Sequence, residues 1–148
     1  MTADRESANV GLVRKYFDIC DGRTRGDIGE LFSPDVEIYI PKYGIERGLG
    51  VVSNFIALAA DLYQRISHHI DEFKILELGD TVVVEGTTEG ATVAGLSWDG
   101  RATLGGRFCN VFEIQRGLIS RMYVYADPDN CSLDAARYPY FKEDKAYR

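Results

Sequence analysis

"RFCNVFEIQRGLISRMYVYADP" runs from Arg107 to Pro128, and its alternation decides how the chain is read. Two β-rich stretches flank a turn signal at Arg116-Gly117. In the first, Phe108, Asn110 and Phe112 share a face. In the second, Tyr123, Tyr125 and Asp127 lie on one face and Met122, Val124 and Ala126 on the other. Pro128 then ends the ladder. A carboxylate on a face that a small domain should bury is costly unless it is paired or used. Asp127 is therefore either a working acid or the polar residue where a strand surfaces, capping with Asp129 the turn around Pro128.

Working outward, strands precede this pair. "HHIDEFKILEL" meets "TVVVEGTTEGATV" across Gly79-Asp80, and Asp99-Gly100 is the strongest hairpin signal in the chain. Helices come before the strands. Val10, Val13, Tyr16, Phe17 and Cys20 form an amphipathic stripe. "DIGELF" reads as a short helix with Asp27 as its cap and Glu30 three residues on, and "VEIYIP" as a strand closed by Pro41. A longer helix is expected from about Val51 to Arg65, with Val51, Val52, Phe55, Leu58, Ala59 and Leu62 inward. Helices first and a strand meander after predict an α+β fold, with helices packed on one face of a mainly antiparallel sheet. A strongly twisted sheet curling round a helix makes a cone with a cavity suited to a small molecule.

The 148 residues suffice for one domain with a real core, taken as 1–148 with a core of about 9–130 and an aromatic tail over 131–148. A net charge of −6 with scattered basic residues argues against a nucleic-acid partner. No apolar run approaches membrane-spanning length, so no membrane partner is expected. Cys20, Cys109 and Cys131 lack metal-site spacing and leave one cysteine over from any pairing, which points to a reducing, cytoplasmic setting and to no metal. Phosphate loop, nucleophile elbow and dinucleotide fingerprint are absent from the sequence, so no cofactor is expected.

The order helix, short helix, "LFSPDVEIYIP", helix, then strands with "GDTVVVEGT" and "FCNVFEIQRGLISRMYVYADP" resembles the SnoaL-like group of the nuclear transport factor 2-like superfamily. The resemblance covers roughly residues 9–130 and implies the cone fold, a curved mixed sheet around N-terminal helices. Because one cone hosts isomerases, cyclases, dehydratases, epoxide hydrolases and binding modules, it implies no single reaction.

It does point to residues. In SnoaL-like cyclases an aspartate near the end of the last long strand points into the cone, and Asp127 stands at the matching place. Asn110 matches the position where ketosteroid isomerases stabilise an oxyanion. Its amide could donate to one, or it could serve as a structural amide. Tyr16 matches the isomerases' helix tyrosine, a second donor or a core phenol. Their general base precedes a proline in the first strand, where this chain has Ile40 before Pro41. The epoxide hydrolases' Asp-Arg-Asp set is also incomplete, because Asp127 and Glu89 could supply carboxylates but the arginine position falls on Thr87. His68 and His69 open a strand, so only one can look inward, resembling the histidine of scytalone-dehydratase-like proteins. That branch's aspartate on the first helices would be Asp18 or Asp21.

Tyr39 and Tyr43 frame Pro41 at the expected rim, and Trp98 sits by the Asp99-Gly100 turn. Phe55, Phe108, Phe112, Tyr125 and Trp98, with Glu89, are the expected substrate contacts. Catalysis is expected from Asp127 with a partner among His68, His69, Tyr39 and Tyr16, and with Asn110 steadying an enolate-like oxygen. The resemblance implies a cofactor-independent isomerase or cyclase for a hydrophobic polyketide-, terpenoid- or steroid-like substrate, and a homodimer. Epoxide opening, or a non-catalytic ligand-binding or dimerisation module, are the alternatives.

Overall fold

The structure, a computed structural model, describes residues 6–138. The part of the aromatic tail beyond Tyr138 lies outside the described residues. Helix α1 (Ala8–Cys20) starts where the Ser7 hydroxyl accepts the Val10 N–H at 3.1 Å, and it buries Val10, Val13, Tyr16 and Phe17. A 3-10 turn (Ile28–Leu31) follows, capped by Asp27 as its sequence predicts. Strand β1 (Phe32–Ile40) turns through Pro41 into β2 (Gly44–Arg47), and α2 (Leu49–Leu62) lies next.

The expected helix to Arg65 stops short, because Tyr63–His68 is strand β3. Its backbone pairs with Thr88–Thr92, and this long-range ladder overrides local helix propensity. The remaining strands are β4 (Lys74–Leu78), β5 (Thr81–Thr92), β6 (Ser97–Asp99), β7 (Arg107–Gln115) and β8 (Leu118–Ala126).

The sheet runs β2-β1-β8-β7-β5-β3, with β4 and β6 also pairing β5. It is mixed, since β1 and β8 run parallel and the other pairs antiparallel. Strand β5 organises the curvature: its first half pairs with β4 and β7, its second with β3 and β6. Two glycines make that switch possible. A Cβ on Gly86 would meet the Phe73 ring at 2.7 Å, and one on Gly90 would meet the Arg65 carbonyl oxygen at 2.3 Å.

Two of the three expected turns hold. Leu78 pairs with Thr81 across Gly79-Asp80, and Gln115 with Leu118 across Arg116-Gly117. Arg116 and Gly117 both have positive φ, as a tight turn matched to strand twist requires. Asp99-Gly100 is not a hairpin. The β5–β6 reversal closes earlier, where the Thr92 N–H donates to the Leu96 carbonyl at 2.8 Å. The Asp99 carboxylate instead accepts the Arg101 N–H at 3.0 Å and opens the loop to β7, the other use of an Asp-Gly pair.

One apolar cluster joins α1 to the concave face of the sheet. Phe17 and Phe112 are fully buried with edge-to-face rings 6.0 Å apart, and Tyr16 packs on both. Met122 is buried on the same side, while Tyr125 is half exposed on the other. The sign of the β8 alternation is thus opposite to the expectation. Met122, Val124 and Ala126 face inward, and the tyrosines face out.

Candidate functional site

Helix α2 carries the first sign of an internal space. Its sequence is strongly apolar, yet Val52 alone among its residues is buried. Phe55, Leu58, Ala59 and Leu62 line a cavity of about 500 Å³. The far wall is built from the inward residues of β1, β7 and β8, including Ile38, Phe108 and Val124. That volume and apolar lining suit a drug-sized molecule held by few polar groups.

His68, at the end of β3, is one of those polar groups. Its ring sits among Phe17, Phe73 and Phe108, with centroids 4.9, 6.4 and 5.2 Å away. Asp21 holds it from behind: Oδ1 lies 2.7 Å from Nδ1, and Oδ2 accepts the His68 backbone N–H at 2.7 Å. The Asp21 side chain is only 3% exposed, so both oxygens are committed to one residue. A carboxylate accepting from Nδ1–H fixes the ring's orientation and leaves Nε2 without a hydrogen-bond partner among the described residues. Asp21 is the C-cap of α1, where the helix dipole disfavours a negative charge, so the position is explained by His68 rather than by the helix.

Asn110 is the second polar group. It is 4% exposed on the β7 wall, and its Oδ1 has no hydrogen-bond partner. An orphaned buried polar atom costs about 1–3 kcal/mol. Tyr16 is the third. Burial, with the Cys20 thiol beside its hydroxyl, pushes the phenol well above its usual range and keeps it a donor. Cys20 has an exposed surface as a residue, yet desolvation pushes its thiol up to about 12, so it is no nucleophile.

Asp127 lies at the mouth, past the end of β8, and is exposed. Its Oδ1 accepts the Asp129 N–H at 2.9 Å, the turn-capping arrangement. It makes no hydrogen bond or ion pair with His68, whose carboxylate partner is Asp21. Arg107, Tyr63 and Asn130 share the mouth, and the Asn130 amide donates to the Tyr63 hydroxyl at 3.1 Å.

Of the other expected site residues, Phe55 and Phe108 line the cavity, and Phe112 lies behind the wall in the core. Tyr39 and Tyr125 belong to the outer face. The parallel register sets Tyr39 beside Tyr123, and its ring lies 5.5 Å from Tyr123 and 5.7 Å from Tyr125. Trp98 is buried, not a cover, and donates from Nε1 to the Thr88 hydroxyl at 3.0 Å.

His69 and Glu89 do not line the cavity, and each directly follows a residue that does, His68 at the end of β3 and Thr88 in β5. His69 Nδ1 lies 2.7 Å from the Thr87 hydroxyl, and Nε2 lies 3.2 Å from Glu89 and 3.7 Å from Asp99. Arg101 binds Glu89 at 3.4 Å and Asp99 at 3.0 Å. A carboxylate-arginine-carboxylate set therefore exists, on the wrong side of the sheet for epoxide chemistry in the cone. His69, Glu89 and Asp99 also form the one grouping of metal-capable side chains among the described residues, but the guanidinium already occupies both carboxylates.

Sequence reading left Asp21 as one of two alternatives and missed Thr88 and Arg107, which also line the cavity. A carboxylate at a helix C-terminus, against the dipole, was the available signal for Asp21.

Among the described residues no helix is long and apolar enough to cross a membrane. No curated protein matches the chain. Solved structures with the same fold include a nuclear transport factor 2-like protein of unknown function from Burkholderia pseudomallei. That protein is 22% identical, with TM-score 0.70 over 82% of this chain and 92% of its own. Candidate polyketide cyclases from Xanthomonas campestris and Jannaschia are similar as well. The first is 17% identical, with TM-score 0.69 over 81% of this chain and 90% of its own. The second is 21% identical, with TM-score 0.68 over 84% and 90%. These likenesses carry the fold, and the SnoaL-like domain family itself matches residues 13–122, so the chain belongs to that family.

Proposed function

We propose that the cavity performs cofactor-independent acid/base chemistry at carbon on an apolar, carbonyl-bearing small molecule, as an isomerase or cyclase. The observation that carries this reading is the His68–Asp21 pair, a cavity-facing imidazole oriented by a buried carboxylate. In the proposed step, His68 Nε2 takes a proton from the carbon next to the carbonyl. The bond's electron pair moves to the oxygen as an enolate, and Asp21 stabilises the imidazolium. Asn110 Nδ2 and the Tyr16 hydroxyl are the donors available to that oxygen. Return of the proton to another carbon completes an isomerisation. Attack of the enolate carbon on a second carbonyl, with the proton passing to the new alkoxide, completes a cyclisation.

The descriptions of the Xanthomonas and Jannaschia proteins as candidate polyketide cyclases support the cyclase branch. This reading moves the proton shuttle from Asp127 to His68, and epoxide opening loses its arginine to the outer face.

Exchange of the α-protons of deoxybenzoin and related aryl ketones into D2O, followed by NMR, tests the reading. The protein should speed exchange above buffer, and His68→Gln should return it to the buffer rate. Exchange unaffected by that substitution, or no exchange above buffer across the ketones, overturns it.

A further inference from the structure

Besides the His68 imidazole, the cavity lining carries the charged side chains of Asp21, Asp27, Asp127 and Arg107. All the carboxylates are in use. Asp21 holds His68, Asp27 Oδ1 accepts the Gly29 N–H at 2.8 Å, and Asp127 Oδ1 accepts the Asp129 N–H. Asp127 follows Ala126, the partner of Phe108, and so lies across from Arg107 in the register. The two form no ion pair, because Asp127 is turned into its own cap. The exposed Arg107 side chain has no hydrogen bond or ion pair among the described residues. It is the one lysine or arginine on the lining.

Its backbone is well fixed. The Thr88 N–H donates to the Gly106 carbonyl at 2.7 Å, and Arg107 itself pairs with Thr87. His68 pairs with Thr88, the next residue of the same strand. Base and cation therefore stand at one level of the cone on either side of β5, two strand spacings or about 10 Å apart along the sheet. One small molecule can reach both.

A planar guanidinium matches a carboxylate, which takes two parallel N–H donors. A carboxylate is unfavourable in the apolar interior and stays at the mouth. A phosphate dianion would meet a single cation with the Asp127 charge nearby, so a monoanion fits better. The apolar body of the ligand then enters the cone and carries its carbonyl toward His68.

We infer that Arg107 anchors the carboxylate of an apolar keto acid at the cavity mouth and so sets which end of the substrate reaches His68. This rests on the acid/base reading above and narrows its substrate class.

The test is calorimetric binding of fenbufen, a biphenyl keto acid, and of its neutral methyl ester to the intact protein. The acid should bind about fivefold more tightly, the upper value of an exposed ion pair, and about 0.5 M sodium chloride should shrink that preference. Arg107→Gln should bind acid and ester alike, and Arg107→Lys should keep part of the preference. Asp127→Asn should tighten the acid alone by removing a like charge. Phe55→Trp, which fills the cavity, should abolish binding of both. No binding of the acid, an acid bound no tighter than its ester, a preference that survives Arg107→Gln, or acid binding that survives Phe55→Trp overturns the assignment. Exchange of the ester's α-protons in D2O separates the two readings. If it depends on His68 while the acid shows no preference, the acid/base reading stands without the anchor. An acid preference without any exchange leaves the anchor and removes the catalysis.

Discussion

His68 and His69 are adjacent, share one side-chain chemistry, and have opposite lives. His68 faces the cavity among three phenylalanines, with one buried carboxylate behind it. His69 faces outward into a network of Thr87, Glu89, Asp99 and Arg101, whose acidic members are more than a third exposed. One imidazole is held by a single partner and keeps a nitrogen free. The other has both nitrogens engaged, which suits a tie between strands and not a base. What separates them is the end of β3: His68 is its last residue, and just past it the His69 N–H still donates to the Thr87 carbonyl at 3.0 Å, so the extended backbone turns the two side chains to opposite faces.

The contrast is sharpest at the bases themselves. His68→Gln should lower α-proton exchange by 10²-fold or more, the typical contribution of a positioned general base. His69→Gln should change exchange less than about twofold, because it leaves the tautomer and cage of His68 intact. A comparable loss from both variants would erase the distinction between the two faces.

Asp21→Asn tests the inner partner. It should cost about 1–3 kcal/mol of stability in denaturant melts, since a buried hydrogen-bonded carboxylate is removed. Exchange should fall with it, because His68 loses the carboxylate that fixes its tautomer and orientation. The outer network should give less. His69→Gln should cost about 1 kcal/mol, the net worth of an ordinary hydrogen bond.

The pH response separates the faces again. Hydrogen bonds from Arg101 hold the Asp99 carboxyl down to about 2, against an ordinary value of 3.8. Its folded value is the lower one, so the stabilisation is present above about pH 4 and is lost as pH falls through about 2. Asp99→Asn should therefore flatten the acid end of the stability curve, by a small amount that added salt shrinks further because the pair is exposed. A slope unchanged by the substitution would remove Asp99 from the acid response. On the inner face, Tyr16 should stay a phenol beyond pH 10 in a spectroscopic titration, where exposed tyrosines ionise.

The smallest effect is expected at the cavity mouth. Asp127→Asn should leave both exchange and stability nearly unchanged, within about 0.5 kcal/mol, because asparagine can cap the same turn. A large loss of exchange would return the proton shuttle to Asp127 and displace His68.

Most of the fold was legible because its determinants are local. The α1 stripe, the Asp27 cap and the turns at Gly79-Asp80 and Arg116-Gly117 are short-range signals, and each holds. The Asp99-Gly100 signal misled because an Asx turn opening a loop uses the same two residues as a hairpin. Strand β3 was hidden because its partner lies 20 to 29 residues away in sequence and supplies the preference for extended backbone.

The site was legible in kind and not in arrangement. Alternation grouped Phe108 with Asn110 and separated His68 from His69, and both groupings survive. Alternation has a period but no sign, however, and which face of β8 looks inward depends on where α1 and α2 lie. That choice moved Tyr39 and Tyr125 out of the cone and brought Met122 and Val124 in. The carboxylate beside His68 was likewise beyond local reading, since Asp21 meets it across 47 residues of chain. By itself the sequence determined the elements, their order and which side chains share a face. Only the packing of helices on the curved sheet decided which face is the cavity, because burial is a property of the assembled layers and not of any one strand.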